Sequence, residues 1–222
     1  MIIVFEGIDA TGKTTISRML KVHLEDKGFS VVLYTYPNKS SIYGSIIKLF
    51  LDAKLSLTPQ EQFFLYILDM FRDREGILQS LSKGFIVIMD RYFTSTIAYQ
   101  CAQGFDYSFA KKVVEYLDLP KPNAIVYLDL DPKFAIERKL KQKKSPDIFE
   151  REETFLAKVR KQYFIMIEEG YPTRNWIYVD ASKSIEEVYS SVLEYLNHYL
   201  TLIAPTYFLC QGKRLSLDEH HL

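Results

Sequence analysis

The sequence predicts a doubly wound α/β domain, with a five-stranded parallel sheet and helices on both faces. Three observations carry that expectation. Five short runs rich in apolar and β-branched residues recur along the chain, four of them continuous rather than alternating, as strands buried on both faces require. Helical stretches separate these runs, the order that builds parallel sheets. The length, 222 residues, suits one such domain with a full core.

Taken in order, residues 2–5 form the first apolar run, and a glycine-rich turn leads into a helix over 13–27. Residues 30–36 are β-rich and end in the turn Tyr36-Pro37-Asn38-Lys39-Ser40. Helices are predicted over 41–52 and 59–81, followed by an apolar run at 85–89. A helix over 107–117, a strand at 124–128 and a helix over 132–141 come next. A lysine-rich stretch, residues 139–146, joins that helix to one at 150–169. The last strand is predicted at 176–179 and the last helix at 185–200. Residues 201–222, with Pro205 and Gly212, carry no clear period and read as a C-terminal extension. No internal repeat is present.

Composition narrows the function classes. With 28 basic and 28 acidic residues the formal charge is zero, so nothing global points to nucleic acid or an anionic membrane surface. A small anionic substrate remains open, because a pocket needs only a few placed cations. Cys101 and Cys210 match no metal or redox spacing and read as free thiols in a reducing compartment. The start lacks the basic region and cleavage site of a signal peptide, and no run is long enough to span a membrane. A soluble, cytoplasmic protein is expected. Most of the 16 Tyr and 15 Phe are expected to pack the core and sheet.

Gly7-Ile8-Asp9-Ala10-Thr11-Gly12-Lys13-Thr14 fits G-x4-G-K-[ST] between an apolar strand and a helix, the context that gives the pattern meaning. Its glycines permit backbone angles that side chains would block, so successive N–H groups turn inward as an anion nest at a helix N-terminus. Lys13 is placed to reach the β- and γ-phosphates of a nucleoside triphosphate, and Thr14 to offer its hydroxyl to Mg²⁺. The fold class is therefore that of a P-loop NTPase. The motif alone does not choose a reaction. No Asn-Lys-x-Asp segment, the guanine reader of GTPases, is present.

Asp90-Arg91-Tyr92 directly follows the strand at 85–89, and the carboxyl ends of parallel strands form the ligand crevice. Asp90 is placed to hold a Mg²⁺-bound water, and Arg91 to clamp an acceptor phosphate with its forked, permanently charged head. The competing reading is an Asp–Arg ion pair capping a strand end.

These residues together resemble the thymidylate kinase family. The match rests on Phe5-Glu6-Gly7-Ile8-Asp9 running into Gly12-Lys13-Thr14-Thr15, and on Asp90-Arg91-Tyr92 with Ser95, Ala98, Tyr99 and Gln100. Further matches are Tyr36-Pro37, Leu119-Pro120-Lys121-Pro122, Tyr127-Leu128-Asp129, and the segments 155–160 and 179–185. They run in family order over residues 1–200. The resemblance implies ATP-dependent conversion of dTMP to dTDP, by positioning and charge neutralisation rather than by a strong general base. It implies that residues 7–15 cradle ATP and that Asp9 bonds the acceptor's 3′-hydroxyl. It implies too that Tyr99 crowds a 2′-hydroxyl, that Gln100 lies close by and that Tyr66 stacks on the pyrimidine. Asp9 as a turn former, Gln100 as a core-facing helix residue and Tyr66 as an ordinary helix aromatic compete with those roles. A lid near 138–150, with Arg138 beside adenine and phosphates, and a homodimer through the 59–81 and 92–100 regions are implied as well.

The sequence departs from the family at four places, one of them Ile148 in the lid segment 146–150, where many members carry an arginine. Lys39 stands where an acceptor-phosphate arginine is usual, giving charge without the fork. Met70 stands where an arginine reads the base, with Arg72 and Arg74 close along the helix. Ala10 stands where some members carry a P-loop arginine, leaving its charge to Arg138 or to Lys139, Lys141, Lys143 or Lys144. A pyrimidine monophosphate kinase of broader specificity, or a nucleotide-binding module without turnover, are the alternatives these departures leave.

Overall fold

A computed structural model describes residues 1–141 and 153–196. Five parallel strands form one sheet in the order β2-β3-β1-β4-β5, with β1 Ile2–Glu6, β2 Val31–Thr35, β3 Ile86–Asp90, β4 Ala124–Asp129 and β5 Trp176–Asp180. β1, β3 and β4 are buried along their whole length, whereas the edge strands β2 and β5 are only partly covered. Apolar runs without alternation thus mark the strands covered on both faces. β1 pairs with β3 on one side and β4 on the other, Phe5 lying opposite Asp90 and Val126. After β1 the chain crosses beyond β3 to β2, so the strand order reverses beside β1. That reversal opens a crevice at the carboxyl ends of β1, β3 and β4.

The helices are α1 Lys13–Asp26, α2 Ile42–Leu51, α3 Pro59–Phe71, α4 Arg74–Ser82, α5 Phe93–Cys101, α6 Tyr107–Tyr116, α7 Pro132–Lys141 and α8 Glu153–Glu169. A last helix, α9, covers residues 185–196 of the described chain. α1 buries Ile16, Leu20 and Leu24, spaced by four, against the sheet. Thr58 caps α3 through a reciprocal box with Glu61, and Pro59 takes the first turn, where its missing N–H costs nothing.

One predicted element changes, and one helix is added. The single helix expected over 59–81 is two, α3 and α4, broken at Arg72–Asp73. Asp73 accepts the Tyr36 hydroxyl at 3.2 Å and pairs with Arg72, which ties the break to the end of β2. Helix α5 gave no helical period in the sequence because it has no wet face. Phe93 to Ala98, Gln100 and Cys101 are all buried. The start of the helix predicted at 150, the end of the one predicted to reach 200, and residues 201–222 lie outside the described residues.

Candidate active site

The P-loop connects β1 to α1 at the mouth of the crevice. Gly7 has φ +138°, and a Cβ there would lie 2.4 Å from the Leu128 carbonyl oxygen of β4. Only glycine lets the loop pass so close to the neighbouring strand. Ala10 takes φ +62°, a left-handed conformation costly for a residue with a side chain. Lys13 is buried and curls back across its own loop, donating to the Ile8 carbonyl at 2.6 Å and to Thr11 Oγ1 at 3.1 Å. Burial lowers its ammonium to about 8, with Asp90 and Glu6 pulling the other way. Thr14 Oγ1 donates to Asp90 Oδ2 at 2.5 Å. Ile8 is buried beneath the loop, and Thr15 bonds back to the Gly12 carbonyl at 3.0 Å in the first turn of α1.

Thr14 and Asp90 bring a hydroxyl and a carboxylate oxygen together at the strand end, a donor pair that fits Mg²⁺. Among the described residues no group of three or more His, Cys, Asp or Glu could hold a metal ion by itself. Such a pair suits an ion whose remaining ligands are phosphate oxygens and water.

Arg91 follows β3 immediately, with φ +67°. Residues held there cost on the order of 1–3 kcal/mol and cluster at functional sites. Its guanidinium donates to the Gly7 carbonyl and Ser95 Oγ, each at 3.1 Å, pairs with the Asp9 carboxylate, and lies 5.3 Å from the centre of the Tyr99 ring. Asp9, Arg91, Ser95 and Tyr99 are thus one connected group across the P-loop, β3 and α5.

A hub beneath them was not assigned a role from sequence. Glu6, at the end of β1, is fully buried and accepts the backbone N–H groups of Tyr92 and Ser95 at 3.0 and 3.1 Å. Thr94 Oγ1 at 2.6 Å, Tyr163 at 2.8 Å and the Ser95 hydroxyl also donate to it. A carboxylate at a helix N-terminus is favourable, and this one locks α5 and α8 to β1. The legible signal was an acidic residue closing an otherwise apolar strand.

A cavity of 270 Å³ opens beside Arg91. It is lined by Asp9, Arg91, Ser95, Thr96, Tyr99 and Gln100, by Tyr36, Pro37 and Lys39, by Gly44, Lys48, Leu51 and Asp52, and by Tyr66 and Met70. The predicted acceptor residues therefore surround one space. Two oxygens of its lining residues, Thr96 Oγ1 and Gln100 Oε1, are buried with no hydrogen-bond partner. Gln62 Oε1 accepts the Gln100 amide N–H at 3.2 Å, and the Gln100 carbonyl oxygen has no partner. Buried polar atoms without partners are rare in folded proteins. Thr96 escaped notice in the sequence, one threonine among several.

Arg72 and Arg74 do not replace the base reader absent at Met70. Arg72 is bound to Asp73 at 2.8 Å, Arg74 to Asp118 at 2.5 Å, and neither lines the cavity. Arg138, on α7, donates to the carbonyls of Ala181 at 2.7 Å and Ser182 at 2.9 Å, with longer bonds of 3.4 Å to Ala10 and Lys183. Its guanidinium staples the loop after β5 to the P-loop. The side chains of Lys139, Lys141, Lys143 and Lys144, and most of the predicted lid, lie outside the described residues. Among the described residues no helix is long and apolar enough to cross a membrane.

Comparison with known proteins finds relatives along most of the chain. A family model described as thymidylate kinase matches residues 5–192. A protein of Archaeoglobus fulgidus named probable thymidylate kinase is 38% identical over 91% of this chain and 97% of its own length. Its namesake in Methanocaldococcus jannaschii is 36% identical over 89% and 96%. The solved thymidylate kinase of Candida albicans superposes with a TM-score of 0.72 at 25% identity, covering 89% of this chain and 91% of that one.

Proposed function

The chain belongs to the thymidylate kinase family, and from that premise we propose that it transfers the γ-phosphoryl group of ATP to dTMP, giving ADP and dTDP. One observation carries the reading: Asp9 of the P-loop and the Arg91 clamp, paired with each other, line the same cavity. An oxygen of the acceptor phosphate attacks the γ-phosphorus, the bond to the β–γ bridging oxygen breaks, and its electron pair leaves on ADP. The acceptor phosphate is already ionised, so no protein base is needed. Lys13 and the inward N–H groups of residues 7–15 hold the donor phosphates. Arg91 grips the acceptor phosphate and the migrating group, with Lys39 adding charge from the cavity rim. Asp9 accepts the 3′-hydroxyl, Tyr99 disfavours a 2′-hydroxyl, Tyr66 stacks on the pyrimidine, and Thr96 and Gln100 gain partners on the base. Thr14 and Asp90 would hold Mg²⁺, which when bound neutralises phosphate charge.

The test is ADP release measured against dTMP, dUMP, dCMP and UMP. The expected result is turnover with dTMP as the best acceptor. Absence of turnover with all four, or a strong preference for UMP, would overturn the reading.

Met70 supports looser base recognition than an arginine would give, since a thioether donates no hydrogen bond. The Candida albicans enzyme is described as having broad substrate specificity. Met70→Arg is expected to raise the dTMP-to-dCMP ratio of kcat/KM about tenfold, because an arginine donates to a thymine carbonyl but not to the cytosine amino group. An unchanged ratio in a folded variant refutes this. Arg138→Ala, which removes the staple on the loop after β5, is expected to raise the KM for ATP about five- to tenfold with a smaller effect on kcat. A loss confined to kcat would instead make Arg138 a catalytic cation.

The outer face of α3 exposes Phe64, Leu68 and Phe71, with Leu78 of α4 and Phe109 of α6 also exposed. Spacings of four and three place the α3 residues on one stripe. This apolar stripe supports a homodimer through the α3 face, to be checked by sedimentation.

A further inference from the structure

The turn between β2 and α2 carries Lys39 to the cavity rim, and it hangs from a residue outside the cavity. Asp69, on α3, is fully buried. Its Oδ2 accepts the Asn38 N–H at 2.7 Å and its Oδ1 accepts the Ser41 hydroxyl. Ser41 is also the N-cap of α2, accepting the Gly44 N–H at 2.7 Å, and its own N–H closes the turn on the Asn38 carbonyl at 2.8 Å. Gly44 is required here, because a Cβ would lie 1.9 Å from that carbonyl oxygen. The two residues flanking the Lys39–Ser40 pair are therefore both bonded to one carboxylate.

A buried carboxylate is costly unless its lone pairs are filled. Desolvation lifts the Asp69 carboxyl above its ordinary value, against the bonds from Ser41 and Asn38. A residue that served only to fill the core would be apolar, as its neighbour Met70 is. Asp69 also follows Tyr66 by one turn of α3, so the helix that presents the stacking ring carries the anchor of the phosphate-side turn.

We propose that Asp69 is a positioning residue for the acceptor phosphate: through Asn38 and Ser41 it holds Lys39 at the cavity rim, in fixed relation to the base-stacking face of α3. The inference rests on the acceptor-site reading given above. It bears on lysine in particular. A lysine head lacks the fork that would orient an arginine on phosphate, so its backbone must supply the precision.

Asp69→Asn tests it. The amide is isosteric but has one accepting arm: it can keep the Asn38 N–H only if Ser41 reverses its hydroxyl to accept from the NH2, and the charge-assisted strength of both bonds is lost. The expected result is a Kd for dTMP raised at least about fivefold, with the Kd for thymidine, which has no phosphate, changed less than about twofold. In a Lys39→Ala background the same substitution should add no further loss for dTMP. Equal losses for dTMP and thymidine, or the same loss with and without Lys39, would overturn the proposal. Ser41→Ala provides a second variant should Asp69→Asn fold poorly, with the same expectation. Amide hydrogen exchange at residues 38–44 of the free protein gives a readout independent of substrate. It should accelerate in both variants, and unchanged protection would overturn the anchoring itself. Failure of the wild-type protein to phosphorylate dTMP would sink the functional reading, and the difference between the dTMP and thymidine Kd values, with and without Lys39, would still decide this one.

Discussion

Lys13→Ala is expected to lower kcat by about a thousandfold or more while leaving a folded protein, at the upper end of the range for losing one placed charge at a transition state. Lys13 is the cation the P-loop encloses, and its present partners are a carbonyl and a hydroxyl of that loop. Removing a desolvated ammonium leaves no buried opposite charge in direct contact, so thermal unfolding should change little. The pH dependence follows from burial. Lys13 titrates near 8 rather than at its ordinary 10.5. In the free enzyme kcat/KM for ATP should therefore fall above about pH 8 as the ammonium is lost. Lys13→Arg should remove that limb whatever its absolute activity. Stability runs the other way: the folded state binds fewer protons than the unfolded one between about 8 and 10.5, so stability rises across that window. Near-normal turnover by Lys13→Ala would refute the assignment of the loop.

Arg91→Ala is expected to lower kcat/KM for dTMP at least about a hundredfold. Arg91 is held in a left-handed backbone conformation with bonds to Gly7 and Ser95 and an ion pair to Asp9, an arrangement that aims its head at the cavity. The same substitution leaves Asp9 without its arginine partner, so some loss of stability accompanies the kinetic loss. Arg91→Lys separates the two effects: it keeps a charge near Asp9 but loses the fork, and should restore stability more than activity. A change in kcat/KM below about threefold in Arg91→Ala, under 1 kcal/mol, would reduce Arg91 to a structural ion pair.

Local chemistry made much of the molecule legible. The five strands could be read because strands covered on both faces are apolar without alternation, and the P-loop because its spacing follows from wrapping a phosphate in backbone N–H groups. Helix α5 could not be read the same way. A helix buried all round has no stripe, so only the family resemblance pointed to its Ser95, Tyr99 and Gln100, and its packing on Glu6 and Arg91 shows only in the fold. The break at Arg72–Asp73 was equally hidden, since Asp73 meets Tyr36 from a distant strand. Arg72 and Arg74 stood in sequence as possible base readers, and only their bonds to Asp73 and Asp118 set them apart from the cavity.

The sequence by itself determined the fold class, the phosphate-binding loop and the family, because each depends on residue types at short, fixed spacings. Tertiary structure alone decided the rest. It gathered Asp9, Lys39, Tyr66, Met70 and Gln100, up to ninety-one residues apart in the chain, around one cavity. It also left Thr96 and Gln100 with unfilled oxygens and hung the Lys39 turn from Asp69. The physical reason is that a hydrogen bond or an ion pair depends on distance and direction in space, and the sequence separation of its partners carries neither.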